Sequence, residues 1–211
     1  LNGIIREICH EILVKMLGLK LPTDPRWVNI VEKNIEEILT DHAYCEQKAA
    51  SNAISVIVKF PEYPDLVTAM TEVVQEEIEH FGQVHNKLLE RGYKLGHERR
   101  DAYVNDLMDY LKTRFPGESR VSYFVNRMLF SAMIEARSCE RFRLLSEEIN
   151  DADLRAFYRS LMESEARHYT TFLQFARKYG EGIDVDARWQ EFLDFEATLM
   201  EKYGKEETIH G

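Results

Sequence analysis

The sequence predicts an all-α chain built on four long amphipathic helices, and two observations carry that prediction. Apolar residues recur in alternating steps of three and four along four separate stretches, and no segment reads as a credible strand. Tight turns join the first stretch to the second and the third to the fourth, whereas nearly thirty residues separate the two pairs. Two tight hairpins and one long crossover make the connectivity of a ferritin-like four-helix bundle, in which the second and third helices run parallel; an up-down-up-down bundle has no need of such a crossover. With 211 residues, 45% of them hydrophobic, and no Gly-, Pro- or Ser-rich linker, the chain is expected to form a single domain over residues 1–211.

The elements follow in order. A short amphipathic helix is expected around Ile4 to Leu17, with Ile5, Ile8 and Ile12 on one side, ended by Gly18 and the breaker Leu21-Pro22-Thr23. Asp24-Pro25 has the form of an N-cap with proline in the first turn, opening a helix expected to continue to about Lys59. Pro61 and Pro64 close the connection, and the second long helix runs from near Asp65 to Gly92, a natural left-handed C-terminal residue. The crossover, Gly92 to Ser119, holds a short helix around Ala102 to Thr113 and ends with Pro116-Gly117. The third and fourth long helices, roughly Arg120 to Glu148 and Asp153 to Tyr179, are joined by Ile149-Asn150-Asp151-Ala152. A last helix near Asp186 to Tyr203, carrying Trp189, Phe192, Leu199 and Tyr203, is expected to pack outside the bundle.

The four core-facing stripes contain acid and imidazole where they should be most apolar. The first reads Ile35, Leu39, His42, Glu46, Ala49, Ala53, Val56, and the second Leu66, Met70, Val73, Glu77, His80, Val84. The third reads Val121, Phe124, Met128, Ser131, Glu135, Ser138, Phe142, Leu145, and the fourth Leu154, Tyr158, Leu161, Glu165, His168, Phe172, Phe175. A buried carboxylate is normally paired, neutralised or bound to a metal, so four at matching depth call for a common cation.

Glu-x-x-His sets both side chains on one side of a helix about one turn apart, but the pattern alone says little. It occurs four times, and Glu7 to His10 and Glu207 to His210, near the termini, are discarded as coincidences. Counted from the hairpin turns near residues 62 and 150, Glu46, Glu77 and His80 fall at one level, and so do Glu135, Glu165 and His168. Glu140 is a rival to Glu135, but at ~1.5 Å per residue it misses that level by ~7 Å and leaves the apolar stripe. The expected ligands are therefore Glu46, Glu77, His80, Glu135, Glu165 and His168. This thiolate-free set suits two Fe or Mn ions and disfavours structural zinc, with two of the carboxylates bridging the ions. Spacing offers Glu76 and Ser164 as acceptors for the outer N–H groups of His80 and His168, with a solvent-facing position the equal alternative for both.

Other classes are disfavoured. Three cysteines, Cys9, Cys45 and Cys139, without a Cys-x-x-Cys pair argue against a disulfide framework, a zinc knuckle or an iron-sulfur centre. The charge-free run Ala49 to Val58 is too short to span a bilayer, and Leu1 to Lys20 carries charges where a signal peptide would be apolar, so a cytoplasmic protein without a membrane partner is expected. A net charge of -10 opposes general nucleic-acid binding. Residues 87–180 nevertheless hold 17 basic against 14 acidic groups, with Lys87, Arg91, Lys94, Arg99, Arg100, Arg114 and Arg120 around one connection, where a solvated surface is the alternative reading.

Four blocks carry a resemblance. Asp41-His-Ala-Tyr-Cys-Glu-Gln-Lys-Ala-Ala-Ser51, Glu76-Glu-Ile-Glu-His-Phe-Gly-Gln-Val84, Ile134-Glu-Ala-Arg-Ser-Cys-Glu-Arg-Phe142 and Ser164-Glu-Ala-Arg-His-Tyr169 closely resemble the bacterial tRNA hydroxylases that oxidise the isopentenyl group of 2-methylthio-isopentenyl-adenosine beside the anticodon. The resemblance runs from about Leu19 to Tyr179 and is weaker from Gly92 to Ser119, a place for substrate-facing residues. It implies a ferritin-like fold, a non-haem diiron centre on the same six ligands with Glu77 and Glu165 as bridges, dioxygen as co-substrate and tRNA as partner.

On that reading the metals carry the oxidation while the protein supplies ligation, a dry pocket and positioning. Ala49, Ala50, Ala53, Phe81, Phe130 and Phe172 are candidates to shape an apolar slot, with core packing their default role. No dinucleotide-binding Gly-x-Gly-x-x-Gly or ferredoxin cysteine spacing is present, so a separate reductase is expected to supply electrons. Arg127, Arg137 and Arg141, with the basic connection, are places to seek base recognition, although their spacing equally suits intrahelical pairing with Glu140 and other acids. Two alternatives stand beside this reading: a rubrerythrin-like peroxidase or ferroxidase on the same cage, and a metal-free helical interaction module whose inward acids are protonated or paired. Oligomeric state is not legible.

Overall fold

The computed structural model describes residues 17–116 and 119–210. Among them are seven α-helices and no strand: α1 (Trp27–Lys33), α2 (Ile35–Lys59), α3 (Pro64–Glu90), α4 (Ala102–Arg114), α5 (Arg120–Glu148), α6 (Ala152–Tyr179) and α7 (Val185–Tyr203). The helix expected around Ile4 to Leu17 lies, apart from Leu17, outside the described residues. No helix among the described residues is long and apolar enough to cross a membrane. The chain divides into two compact units. One comprises Asn29–Asp101 and Glu207–Ile209; the other comprises the described residues up to Val28, then Ala102–Glu206 and His210.

The first unit is built on the antiparallel hairpin of α2 and α3. Ile38, Leu39, Ala43, Ala50, Ala53 and Val56 of α2, with Leu66, Met70, Val73, Val84 and Leu88 of α3, are buried. Pro64 sits in the first turn of α3, where its missing N–H costs nothing. At the far end Gly92 has φ +75, a left-handed conformation that frees the N–H of Tyr93 to reach the carbonyl of Leu88 at 3.0 Å. The extended segment beyond it runs back along α2: Tyr44 donates to the Gly96 carbonyl at 2.9 Å, and Lys48 pairs with Glu98 at 2.9 Å.

One boundary differs from expectation. The helix expected to run unbroken to Lys59 is interrupted at Asn34, between α1 and α2. The Asn34 side-chain amide donates to the Ile30 carbonyl at 3.0 Å while its backbone N–H turns to Val31 at 3.0 Å. The side chain thus takes the acceptor that a continuous α-helix would offer the backbone, as Asn commonly does. The same amide also donates to Glu207 Oε1 at 3.0 Å, and the Ile209 N–H donates to Asp41 at 2.8 Å, so the segment following α7 is tied to this unit at two points.

In the second unit α5 and α6 form a longer antiparallel hairpin, with α4 and α7 packed alongside. Ser119 caps α5 by accepting from the Ser122 N–H at 3.1 Å, and Asp151 caps α6 by accepting from Asp153 and Leu154. From Leu144 back to Glu135 every residue of α5 is buried, because this helix has neighbours around most of its circumference. The last helix, α7, buries Trp189, Phe192, Leu193, Leu199 and Met200 and packs on α4, α5 and α6. At roughly 1.5–3 kcal/mol for each large side chain buried, those contacts make α7 an integral part of its unit.

Candidate metal centre

Each hairpin sets two carboxylates and one imidazole at a single level. In the first unit Glu46 precedes the turn on α2 by about as many residues as Glu77 and His80 follow it on α3, so antiparallel pairing brings the three together. Their ligand atoms lie within 4.8 Å of one another. His80 Nδ1 is 3.7 Å from Glu77 Oε2 and 3.9 Å from Glu46 Oε2. In the second unit Glu135 on α5 meets Glu165 and His168 on α6, again with ligand atoms within 4.8 Å of one another and with His168 Nδ1 3.9 Å from Glu135 Oε2. All six side chains are buried, and Glu77 has no exposed surface at all.

The donor chemistry fits a metal. Hard oxygen and borderline nitrogen ligands, without a thiolate, match Fe or Mn better than structural zinc. The described thiol of the second unit, Cys139, is no competitor: burial, with the carboxylates of Glu165 and Glu140 adding to it, pushes its pKa up to about 12 and keeps it protonated. The hydroxyl of Ser164, one candidate partner of His168, donates to its own helix at the Leu161 carbonyl, 2.9 Å away. Of the six residues suggested for an apolar slot, Ala50, Ala53 and Phe172 are buried, whereas Ala49, Phe81 and Phe130 are half-buried.

A model of the tRNA-(MS2IO6A)-hydroxylase (MiaE) family matches residues 10–211. The chain belongs to this family. Among similar curated proteins, the tRNA 2-(methylsulfanyl)-N(6)-isopentenyladenosine(37) hydroxylase of Pseudomonas putida is 36% identical over 167 residues, covering 79% of this chain and 78% of its own. The protein of the same name from Salmonella typhimurium is 27% identical, with 95% of this chain and 90% of its own covered. Among solved structures, a protein from Synechococcus described as having aldehyde deformylating oxygenase activity superimposes with a TM-score of 0.83 at 29% identity, over 92% of this chain and 95% of that one. The all-α, ferritin-like fold class expected from the connectivity is borne out.

In this MiaE-family chain the rival carboxylate has another task. Glu140 accepts from the Thr23 N–H at 3.1 Å, from the Thr23 hydroxyl at 2.6 Å and from Arg137 at 3.0 Å. Arg137 also donates to Glu196 at 2.6 Å and to the Leu21 carbonyl at 3.0 Å, and Glu196 accepts from Tyr103 at 2.9 Å. Arg141 lies over the Trp27 ring, 4.3 Å from its centroid. Burial opposes the charge of Arg137, but Glu196 and Glu140 outweigh it and raise its pKa; burial and the charge of Arg137 bring Arg141 down to about 10. Both guanidiniums have no exposed surface, so the suggestion that they read an RNA base is corrected. They hold the Leu21–Thr23 segment, α5 and α7 together, and the intrahelical pairing with Glu140 is the reading the structure shows. Arg127, the third arginine of that suggestion, is half-buried.

Of the two discarded Glu-x-x-His pairs, the described residues include one, which is engaged elsewhere. Glu7 and His10 lie outside the described residues, while Glu207 binds Asn34 and His210 Nε2 sits 3.2 Å from the Ser138 hydroxyl. Sequence reasoning placed His42 on the first stripe but gave it no role. In the structure its Nε2 is 2.5 Å from Glu46 Oε1, and the only sequence signal for that contact is their spacing of four residues.

Proposed function

We propose that this chain is a dioxygen-dependent, non-haem diiron monooxygenase that hydroxylates the isopentenyl side chain of 2-methylthio-isopentenyl-adenosine in tRNA. One observation carries the reading: two buried triads of identical composition, Glu46 with Glu77 and His80, and Glu135 with Glu165 and His168, in a chain of the tRNA hydroxylase family. Four ionised carboxylates are balanced by two divalent cations, which removes the cost of burying them. On this reading the chain works as one domain over 1–211, Glu77 and Glu165 bridge the ions, and Fe is the working metal, Mn the substitute.

Bound iron supplies the activation of dioxygen and the oxidation of an unactivated C–H bond. One oxygen atom enters the substrate as hydroxyl and the other leaves as water, so each turnover takes two electrons and two protons, delivered by a separate reductase. The chain's own part is to hold six ligands in position and to exclude water around them. Within the first unit, Ala50 and Ala53 lie one and two turns beyond Glu46 and keep the neighbourhood apolar and narrow.

The RNA is bound through its phosphates, which require accessible cations. With Arg137 and Arg141 buried, the exposed Lys94 and Arg100 are the contacts of choice. They flank Gly96 and Glu98 on the segment that runs back along α2. Iron-loaded protein, given reductase, dioxygen and isopentenylated tRNA, should add one oxygen atom to the modified nucleoside, read by mass spectrometry. Lys94→Glu with Arg100→Glu should weaken tRNA binding by about tenfold or more and flatten its salt dependence while leaving iron content unchanged. Brisk peroxide turnover or ferrous oxidation without tRNA hydroxylation would favour the peroxidase or ferroxidase alternative.

A further inference from the structure

The two triads match in composition, but their surroundings on α2 and α5 do not. Four residues before Glu46 stands His42, fully buried, with Nε2 2.5 Å from Glu46 Oε1. The other oxygen of the same carboxylate, Oε2, is the one turned toward His80, at 3.9 Å. Four residues before Glu135 stands Ser131, also buried, so α5 has a hydroxyl where α2 has an imidazole. His42 is absent from the group of side chains whose ligand atoms converge with Glu46, Glu77 and His80.

We propose that His42 is a positioning residue for the metal half-site of the first hairpin. A carboxylate has about four lone-pair directions and can bind a cation through one oxygen or both. A buried imidazole N–H donated to Oε1 takes one of its two lone-pair directions in a charge-assisted hydrogen bond and holds the carboxylate so that Oε2, the oxygen turned toward His80, would be the one presented to the ion. The consequence is that the ion nearest Glu46 would be held by a carboxylate set in place before metal arrives. Partners of this kind around a metal ligand typically change affinity by about 10–100-fold.

The inference rests on the metal-binding reading above, and cobalt(II) titration of the metal-free protein, followed by visible absorption, separates the two. Wild-type protein should take up two ions, and His42→Leu, which keeps the volume but has no N–H, should weaken one of the two by about 10–100-fold and leave the other unchanged. His42→Gln, whose amide N–H can reach Glu46 from the Nε2 position, should restore wild-type affinity. Should His42→Leu not fold, His42→Asn, polar but one methylene short, is read in its place and should show the same loss. Undiminished binding of both ions by the donor-less variant would overturn the proposal. So would a loss in His42→Gln equal to that in His42→Leu, since space filling would then explain it. Failure of the wild-type protein to bind cobalt would count against the metal reading itself.

Discussion

Glu135 and Glu140 stand five residues apart on α5 and have opposite chemistry. Glu135 converges with Glu165 and His168, whereas Glu140 is consumed by Arg137 and Thr23. Glu135→Ala should therefore lose bound iron and, compared with wild type in the metal-free state, show little loss of stability, because removing one of several crowded carboxylates relieves their repulsion. Glu140→Ala should keep its iron but fall in stability by about 3–5 kcal/mol, since it strips a buried guanidinium of a partner. Iron analysis and urea melts of the two variants check this, and the reverse pattern would exchange the roles of the two residues. That Glu135 rather than Glu140 stands level with Glu165 and His168 was legible in the sequence, because register against the hairpin turn depends only on helical rise. The burial of Arg137 and Arg141 was not: their neighbours Thr23, Trp27 and Glu196 come from segments far away in sequence, and no periodicity on α5 announces them.

At the scale of elements, the boundaries that were legible are those set by local chemistry. Gly92 ends α3 through its left-handed backbone, and Asp151 opens α6 by accepting two orphan N–H groups, at 2.9 and 3.1 Å. Asp151→Ala should cost about 1 kcal/mol without altering iron content, measured as a shift in the urea midpoint at unchanged slope. The break at Asn34 was hidden because its cause is a competition between a side chain and the backbone, reinforced by Glu207 from the other end of the chain. The position of α7 was hidden for a similar reason. Its apolar face shows that it packs, but the partners, α4, α5 and α6, are fixed only by tertiary contacts.

At the scale of the molecule, an acidic chain of net charge -10 keeps four of its carboxylates in two buried triads, one on each hairpin. The fold class was legible from four stripes and the spacing of their connections, because helix-bundle topology follows from loop length. The substrate came from resemblance, since the residues that recognise a nucleic acid lie on surface segments whose sequence carries little periodic information. The proposed function stands on paired transition ions that neutralise the buried triads. Its most direct test is anaerobic reconstitution of the metal-free protein with ferrous iron, removal of unbound metal and determination of iron per chain, with Mössbauer spectra for coupling. About two irons per chain in a coupled pair are expected, falling sharply in Glu77→Ala and in Glu165→Ala; a folded wild-type protein that retains no iron would contradict the account.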